Sequence, residues 1–320
     1  MIRFMAWRVA NAIGTLFGLS MIVFVILLAI PGSVTQSMLG VEGASTPELA
    51  LRLEREFGLD RPIYMQFFSW VGNVLRGDLG TSWRTAQPVM DTILDRLPLT
   101  AEIALFSIII ALLVGIPLGV IGARNQDRLL DHITRGIALL GAAIPPYISA
   151  TLILLVGSMW LGWVPPTGYT SLFEDPLRNL STVITPALVL GLTSAAGIAR
   201  MTRGAMLDEL SQDYVRTAYS KGLHQLSITN RHALRNASIP VLTVVGIEIG
   251  VLLGGAVITE SVFSIPGLGR LVVDAIAQRD YPMVQGAVLV IAAMFVTINI
   301  LTDLVYGIID PRVRTIRTKS

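Results

Sequence analysis

The residues of this chain that could do chemistry include three carboxylates embedded in long apolar runs. Glu102 and Asp303 lie near the ends of their runs, whereas Glu248 lies near the middle of its own. An ionisable group at mid-membrane depth is costly, and by default it indicates an ion or substrate path. We therefore predict that Glu248 lines a translocation path. The alternative is a Glu248 that is protonated or hydrogen-bonded to a neighbouring helix or subunit.

Other reactive groups are scarce. The chain has no cysteine, which excludes disulfides, thiol chemistry and thiolate-bound metals. Its histidines, His132, His224 and His232, do not have a metal-ligand spacing. The sequence also lacks the phosphate-binding pattern G-x-x-x-x-G-K-[ST]. We expect no catalytic, cofactor-binding or metal-binding residue in this chain, and a membrane enzyme is the least favoured class.

A basic segment without any carboxylate lies between two apolar runs and reads RTAYSKGLHQLSITNRHALRNA (216–237). Residues Asp213 to Lys221 favour a helix that stops at Gly222, and Ser227 is the predicted N-cap of a second short helix. Such a segment suits anionic lipid, where each basic residue contributes about 1 kcal/mol. It also suits a cytoplasmic protein partner, whereas nucleic acid is a poor fit to so short a loop.

Composition identifies the environment of these residues. Of the 320 residues, 53% are hydrophobic and 14% are charged, whereas soluble domains are about a quarter charged. The chain is therefore predicted to be an integral membrane protein. A helix needs roughly 20 apolar residues to cross a bilayer. The candidate spans are 9–30, 99–122, 136–160, 183–199, 238–259 and 283–307.

The distribution of charge predicts the orientation in the membrane. If the N-terminus is cytoplasmic, most of the 24 Lys and Arg residues fall on the inner side. The outer cations concentrate in one long loop, where the positive-inside rule has least force. We therefore predict that both termini are cytoplasmic and that 200–236 is the longest cytoplasmic loop.

These spans imply three parts of the chain. They are an N-terminal segment with the first span (1–30), an outer helical loop (31–98) and a core with the other five spans (99–320). Thr46 and Pro47 begin a helix in the outer loop. The predicted fold class is an all-α integral membrane protein with six transmembrane helices and a small helical cap between the first two.

A second helix is predicted in the outer loop. Its apolar face holds Ile63, Phe67, Val71 and either Val74 or Leu75, before a stop at Gly77.

Proline and glycine also mark the spans. Proline falls within or beside the apolar runs at GIPLG (115–119), IPP (144–146) and TP (185–186). Such prolines are tolerated where neighbouring helices or a water-filled cavity satisfy the freed backbone groups. Gly246, Gly250 and Gly254 repeat every four residues, which predicts close packing against a helix of this chain or another.

The basic segment resembles the coupling loop, or EAA loop, of permease subunits in ABC importers, with Ala218, Gly222 and Leu234 at matching positions. The resemblance is closer to the dipeptide, oligopeptide and nickel branch, the DppB/OppB-like permeases, in DYVRTAYSKGL (213–223) and HALRNASIP (232–240). Further segments that resemble this branch are GDLGTSWRTAQPV (77–89), RLPLTAE (96–102), FSIPGLGRLVVDAI (263–276), RDYPMVQG (279–286) and DPRVR (310–314).

The resemblance implies a type I ABC importer permease in a bacterial inner membrane. Its implied partners are a homologous second permease, two cytoplasmic subunits that bind ATP and Mg²⁺, and a periplasmic solute-binding protein. The implied cargo is a dipeptide or oligopeptide, and nickel chelates, opines and glycosides are alternatives within the branch. An ion-coupled secondary transporter with Glu248 as its ion site is the more remote alternative.

In this family the coupling loop docks in a groove of the ATP-binding subunit. The residues expected to make that contact are Asp213, Tyr214, Ala218, Lys221, Gly222, Leu223 and Leu234.

Overall fold

The computed structural model describes residues 2–29, 60–166 and 168–309, without the side chains of residues 2–5, 303 and 305–309. The predicted helix at Thr46, the side chain of Asp303 and the DPRVR segment lie outside this description. The helices in chain order are α1 (Ile2–Ala29), α2 (Ile63–Val74), α3 (Val89–Arg124), α4 (Leu129–Ala143), α5 (Pro146–Trp160), α6 (Pro176–Leu210), α7 (Asp213–Ser220), α8 (Gln225–Ser227), α9 (Leu234–Val262), α10 (Leu268–Ala277) and α11 (Tyr281–Ile309). A π turn, Ile228–Ala233, joins α8 to α9.

The all-α membrane fold is confirmed. Within the described part of the chain, five helices are long and apolar enough to cross a bilayer, namely α1, α3, α6, α11 and the continuous run from α8 to α9. The bent pair of α4 and α5 makes a sixth span if the pair is counted as one. Two of the spans are much longer than their apolar runs predict, because α3 has 36 residues and α6 has 35.

The predicted span over 136–160 is present as a broken helix pair, with its break at the prolines of IPP (144–146). The chain bends by 93° between α4 and α5. Ile144 is extended, with φ −91° and ψ 116°, as expected for a residue that precedes proline. Pro145 and Pro146 also have no N–H to bond the last carbonyls of α4. The double proline therefore ends one helix and begins the next.

The predicted cytoplasmic loop over 200–236 is largely helical. Helix α6 continues to Leu210 and α9 begins at Leu234, and α7, α8 and the π turn fill most of the interval. An apolar run ends at the first charged residues, but the helix itself can continue into water through polar residues that favour a helix.

The chain forms two compact units, of which the first contains Met1–Pro98 and Gly267–Val296. Phe67 of α2 lies edge-on to Phe17 and Phe24 of α1, with ring centroids 5.6 and 5.4 Å apart. Val74 packs against the core of this unit, whereas Leu75 is 82% exposed. The predicted second helix of the outer loop is confirmed, with Val74 on its inner face.

The first unit also joins two segments that lie far apart in the sequence. The buried Asp280 carboxylate accepts hydrogen bonds from the Ser82 hydroxyl and, at 3.2 Å, from the Trp83 amide. Arg84 Nε donates to the Gln278 carbonyl at 3.0 Å. The GDLGTSWRTAQPV and RDYPMVQG segments therefore form one polar contact that secures the turn before α3.

The second unit contains Leu99–Pro266 and Thr297–Ser320. Helices α3 and α6 approach closely in it through glycine. A Cβ atom at Gly119 would lie 2.6 Å from the Ala199 carbonyl oxygen and 2.9 Å from the Arg203 amide nitrogen. Only a residue without a side chain allows the two backbones to come this near.

A buried ion pair joins α4 to α6. Arg203 Nε lies 2.6 Å from Asp131 Oδ1, and Arg203 Nη2 lies 2.7 Å from Asp131 Oδ2. The Asp131 side chain is fully buried, and its Oδ2 also accepts from the Asp127 amide at 3.1 Å. This bidentate geometry satisfies a charge that would otherwise be costly to bury.

A second carboxylate network lies near the other end of α6. Glu102 of α3 accepts hydrogen bonds from the Tyr169 hydroxyl at 2.9 Å and from Asn179 Nδ2 at 2.6 Å. Burial of the Tyr169 hydroxyl, together with its bond to Glu102, raises the pKa of Tyr169 to about 12. Glu102 thus holds the α5–α6 connection against the bundle.

The close approach of α3 and α6 predicts the cost of a single methyl group. We expect Gly119→Ala to destabilise the detergent-solubilised protein by about 1–3 kcal/mol, because the new Cβ must displace backbone of α6. Thermal unfolding measures the effect.

The matched control is Gly136→Ala in α4, where a Cβ would meet nothing within 4 Å. This variant should keep the unfolding temperature or raise it slightly, since alanine favours a helix by up to about 1 kcal/mol. Equal unfolding temperatures for Gly119→Ala and the unmodified protein would contradict the close packing.

Candidate functional site

The basic segment forms a short helix that leans on the bundle. Val215 and Ala218 of α7 are buried against Ile228 of the π turn, with Leu210 of α6 beside them. Gly222 follows in the left-handed conformation, with φ +74°, which lets the chain reverse after the helix. The predicted helix over Asp213 to Lys221 and its stop at Gly222 are confirmed.

The prediction that Ser227 caps the next helix is wrong. His224 is the N-cap, and its Nδ1 accepts from the Leu226 amide at 3.3 Å. His224 has the extended backbone that an N-cap needs, with φ −65° and ψ 140°. Ser227 is already helical, and the chain continues from it through the π turn into α9.

The expected contact residues divide into two groups by exposure. Asp213, Lys221, Gly222 and Leu223 are exposed, and the Asp213 side chain is 95% accessible. Ala218 is buried in the contact with Ile228. Leu234 packs partly buried against the cluster that holds Met206, Ala233 and Ala237.

Tyr214 bonds within its own chain. Its hydroxyl donates to Glu209 Oε2 at 2.6 Å, near the end of α6. Asn236 Nδ2, in the first turn of α9, lies 3.2 Å from the same hydroxyl oxygen and 3.3 Å from Glu209 Oε2. Burial of the hydroxyl and its bond to Glu209 raise the pKa of Tyr214, so the phenol keeps its proton across the physiological range.

Sequence reasoning missed Glu209 and Asn236, because both fell in the predicted loop. Asn236 does lie in the HALRNA motif, which was the available signal. A third missed residue is Glu260, which is fully buried and accepts from Thr100 Oγ1 at 2.6 Å. Glu260 lies just beyond the predicted end of its span at 259, so the apolar run gave no sign that its helix includes a buried carboxylate.

Glu248 lies at the middle of α9 and is half-buried. A Cβ atom at Gly197 of α6 would overlap its carboxylate, so the carboxylate lies directly against the backbone of α6. Among the residues that the structure describes, Glu248 has no hydrogen-bond or ion-pair partner. This leaves a carboxylate at mid-span available to a group outside the chain.

The glycines of α9 have different surroundings. A Cβ atom at Gly246 would lie 2.9 Å from Thr302 Cγ2 of α11, whereas one at Gly254 would meet nothing within 4 Å. Gly250 lies half-buried between them. Their assignment as a packing stripe stays a prediction, and among the described residues Gly254 has no neighbouring helix at contact distance.

Within the described residues, no group of three or more His, Asp or Glu side chains could hold a metal ion.

Two family models together match nearly the whole chain. The model described as "Binding-protein-dependent transport system inner membrane component" matches residues 115–315. The corresponding model for the N-terminal part of these membrane components matches residues 1–104.

Named relatives that align with nearly the whole chain support the same family. A protein named as a peptide transport system permease in Brucella abortus (strain 2308) is 42% identical over 96% of this chain and 97% of its own. The dipeptide transport system permease protein DppB of Escherichia coli (strain K12) is 38% identical over 98% of this chain and 99% of its own. The di/tripeptide transport system permease protein DppB of Pseudomonas aeruginosa (strain UCBPP-PA14) is also 38% identical, with the same coverage.

A solved structure shares the fold. The inward-facing MetNI methionine ABC transporter has a chain with a TM-score of 0.57 at 17% identity, covering 69% of this chain and 97% of that one. At that identity the likeness concerns the fold alone. The family matches and the named relatives lead to one conclusion: this chain belongs to the family of inner membrane components of binding-protein-dependent transport systems.

Proposed function

We propose that this chain is the permease subunit of an ATP-driven importer and forms half of the translocation path for a dipeptide or oligopeptide. The observation that carries the proposal is the 38–42% identity to peptide permeases along nearly the whole chain. A nickel chelate, an opine or a glycoside is the alternative cargo. An ion-coupled transporter remains the more remote alternative, with Glu248 as its ion site.

The proposed assembly supplies what the chain lacks. Two cytoplasmic subunits would bind ATP and Mg²⁺, since the sequence has no phosphate-binding loop. A homologous second permease would complete the path, and a periplasmic binding protein would deliver the cargo. The charge bias between loops supports cytoplasmic termini and a cytoplasmic α7.

The proposed contact with the ATP-binding subunit is centred on the exposed end of α7 and the turn after it. Asp213, Lys221, Gly222 and Leu223 are exposed there. Tyr214, which is itself exposed, and the more buried Ala218 and Leu234 would support this surface through contacts with their own chain.

Reconstituted transport tests the function. Vesicles that hold this chain, its paired permease, both ATP-binding subunits and the binding protein should accumulate radiolabelled alanylalanine only when ATP is present. Accumulation that persists without ATP and collapses with an uncoupler would support the ion-coupled alternative instead.

Substitutions at Gly222 test the coupling contact and distinguish the effect of backbone conformation from the effect of side-chain size. Among the described residues a Cβ atom there meets nothing within 4 Å, so within this chain the penalty comes from the left-handed backbone. We expect Gly222→Val to lose most of the co-purification with the ATP-binding subunits and most of the peptide uptake, because a branched side chain disfavours φ of +74°.

Gly222→Asn is the matched control, since asparagine adopts the left-handed conformation far more readily. It should retain both co-purification and uptake. Full activity of the valine variant would place the contact elsewhere.

We propose that Glu248 meets the cationic amino group of the peptide in the path. Its support is the half-buried position at the middle of α9, against the backbone of α6 and without a partner among the described residues. A carboxylate that is left unpaired at this depth is stabilised when a cation of the cargo reaches it.

Replacing the charge tests this assignment. We expect Glu248→Gln to slow alanylalanine uptake by about tenfold or more, because a hydrogen bond to a charged group contributes about 1.5–3 kcal/mol. Glu174→Gln, a change to an exposed carboxylate before α6, is the control and should transport normally. An unchanged rate and affinity in Glu248→Gln would remove Glu248 from the path.

A further inference from the structure

The contact helix α7 is connected to the rest of the chain through two short turns. Residues 211–212 join it to α6, and residues 221–224, which include the left-handed Gly222, join it to α8. Backbone hydrogen bonds hold both turns: the Gln212 amide donates to the Glu209 carbonyl at 3.2 Å, and the Gly222 amide donates to the Tyr219 carbonyl at 2.9 Å. Side-chain contacts are a second route by which a movement imposed on α7 reaches the spans.

Two sets of contacts are available. The first is the apolar cluster of Val215, Ala218 and Ile228. Apolar contacts are non-directional, so this cluster resists compression but allows α7 to slide and turn. The second set is the polar group of Glu209, Tyr214 and Asn236, whose hydrogen bonds have a preferred direction.

We propose that Glu209, Tyr214 and Asn236 form a clamp that makes α6 and α9 follow α7 during transport. The proposal rests on the function proposed above, because it assigns these three side chains to the transmission of the ATP-driven movement. They are positioning residues: none of them needs to touch ATP or cargo.

The geometry suits this task. The Tyr214 hydroxyl donates to Glu209 Oε2 at 2.6 Å, and Asn236 Nδ2 lies 3.2 Å from the same hydroxyl. One phenolic oxygen on α7 therefore bonds the end of α6 and the beginning of α9 together. The bond to Glu209 is short because its acceptor is a carboxylate, and such charge-assisted bonds are about twice as strong as neutral ones.

The surroundings indicate a linkage more than a support for the fold. Tyr214 is 38% exposed and Asn236 is exposed. Removing a bond in so accessible a place lets water replace it, so the chain still folds. Two apolar clusters also hold α7 and the start of α9 in place without the clamp. One contains Val215 and Ile228, and the other contains Met206 and Ala233.

The test is Tyr214→Phe, which removes one oxygen and keeps the ring. The variant is reconstituted with the paired permease, the ATP-binding subunits and the binding protein. ATP hydrolysis and the uptake of radiolabelled alanylalanine are then measured in the same vesicles. We expect roughly tenfold or more ATP to be hydrolysed per peptide moved.

The size of the effect follows from the bond that is lost. A hydrogen bond to a charged group alters the balance between two arrangements by about tenfold or more. A merely structural role would lower hydrolysis and uptake together and leave their ratio unchanged. The ratio therefore distinguishes transmission from folding.

Two further variants sharpen the result. Glu209→Gln keeps an oxygen that accepts from Tyr214 and should retain most of the coupling, whereas Glu209→Ala should match Tyr214→Phe. The control is Tyr219→Phe, which removes the same atom from the same helix. The Tyr219 hydroxyl has no partner among the described residues, so this variant should keep the ratio of the unmodified complex.

The outcomes separate the two proposals. If the unmodified complex shows no ATP-dependent uptake of the peptide, the proposed function fails and the clamp fails with it. If the unmodified complex transports and Tyr214→Phe keeps the same ratio, the clamp alone is wrong. If Tyr219→Phe also raises the amount of ATP hydrolysed per peptide moved, the clamp is again wrong, because the effect would then belong to the surface of α7.

Discussion

The structure depends on one constraint: inside a bilayer, each backbone N–H and C=O must find its partner within the protein. Helices satisfy this requirement by themselves, so the relative positions of the spans are decided by side-chain contacts. In the second unit, α6 makes contacts of this kind with several other elements. It takes part in the Glu102 network through Asn179, in the ion pair through Arg203 and in the clamp through Glu209.

The distribution of these contacts along α6 explains how a long helix can act as one body. Its central part packs against α3 through glycines, where only dispersion and close approach operate. Its ends carry the polar bonds, in which the buried Asn179 and Asp131 find partners that offset their desolvation. The hydrogen bonds near each end of α6 resist rotation of the helix, and the close packing of its middle resists separation from α3.

Much of the fold could be predicted from the sequence, because the hydrophobic effect acts on runs of side chains that can be read directly. The spans, the helix at Asp213 and the stop at Gly222 follow from such local patterns. The bend after Ala143 was present in the sequence as two prolines in the apolar run, although the sequence does not give its angle of 93°.

What could not be predicted depends on contacts between distant residues. Nothing near Tyr214 in the sequence indicates that its hydroxyl reaches both Glu209 and Asn236. The pairing of Asp131 with Arg203 likewise joins residues that are 72 positions apart. The site was located by its charge and by its resemblance to the coupling loop of ABC importer permeases. The hydrogen bonds within it could be found only from the three-dimensional arrangement of α6, α7 and α9.

The π turn between α8 and α9 sets an angular phase. Each residue of an α-helix advances the side-chain direction by about 100°, and a π turn inserts one extra residue into that count. The faces before and after Ile228–Ala233 are therefore out of phase with a single continuous helix. Ile228 of the π turn packs against α7, and Ala237 packs in the cluster with Met206 of α6. The junction is an angular offset between the segment that packs against α7 and the span that carries Glu248.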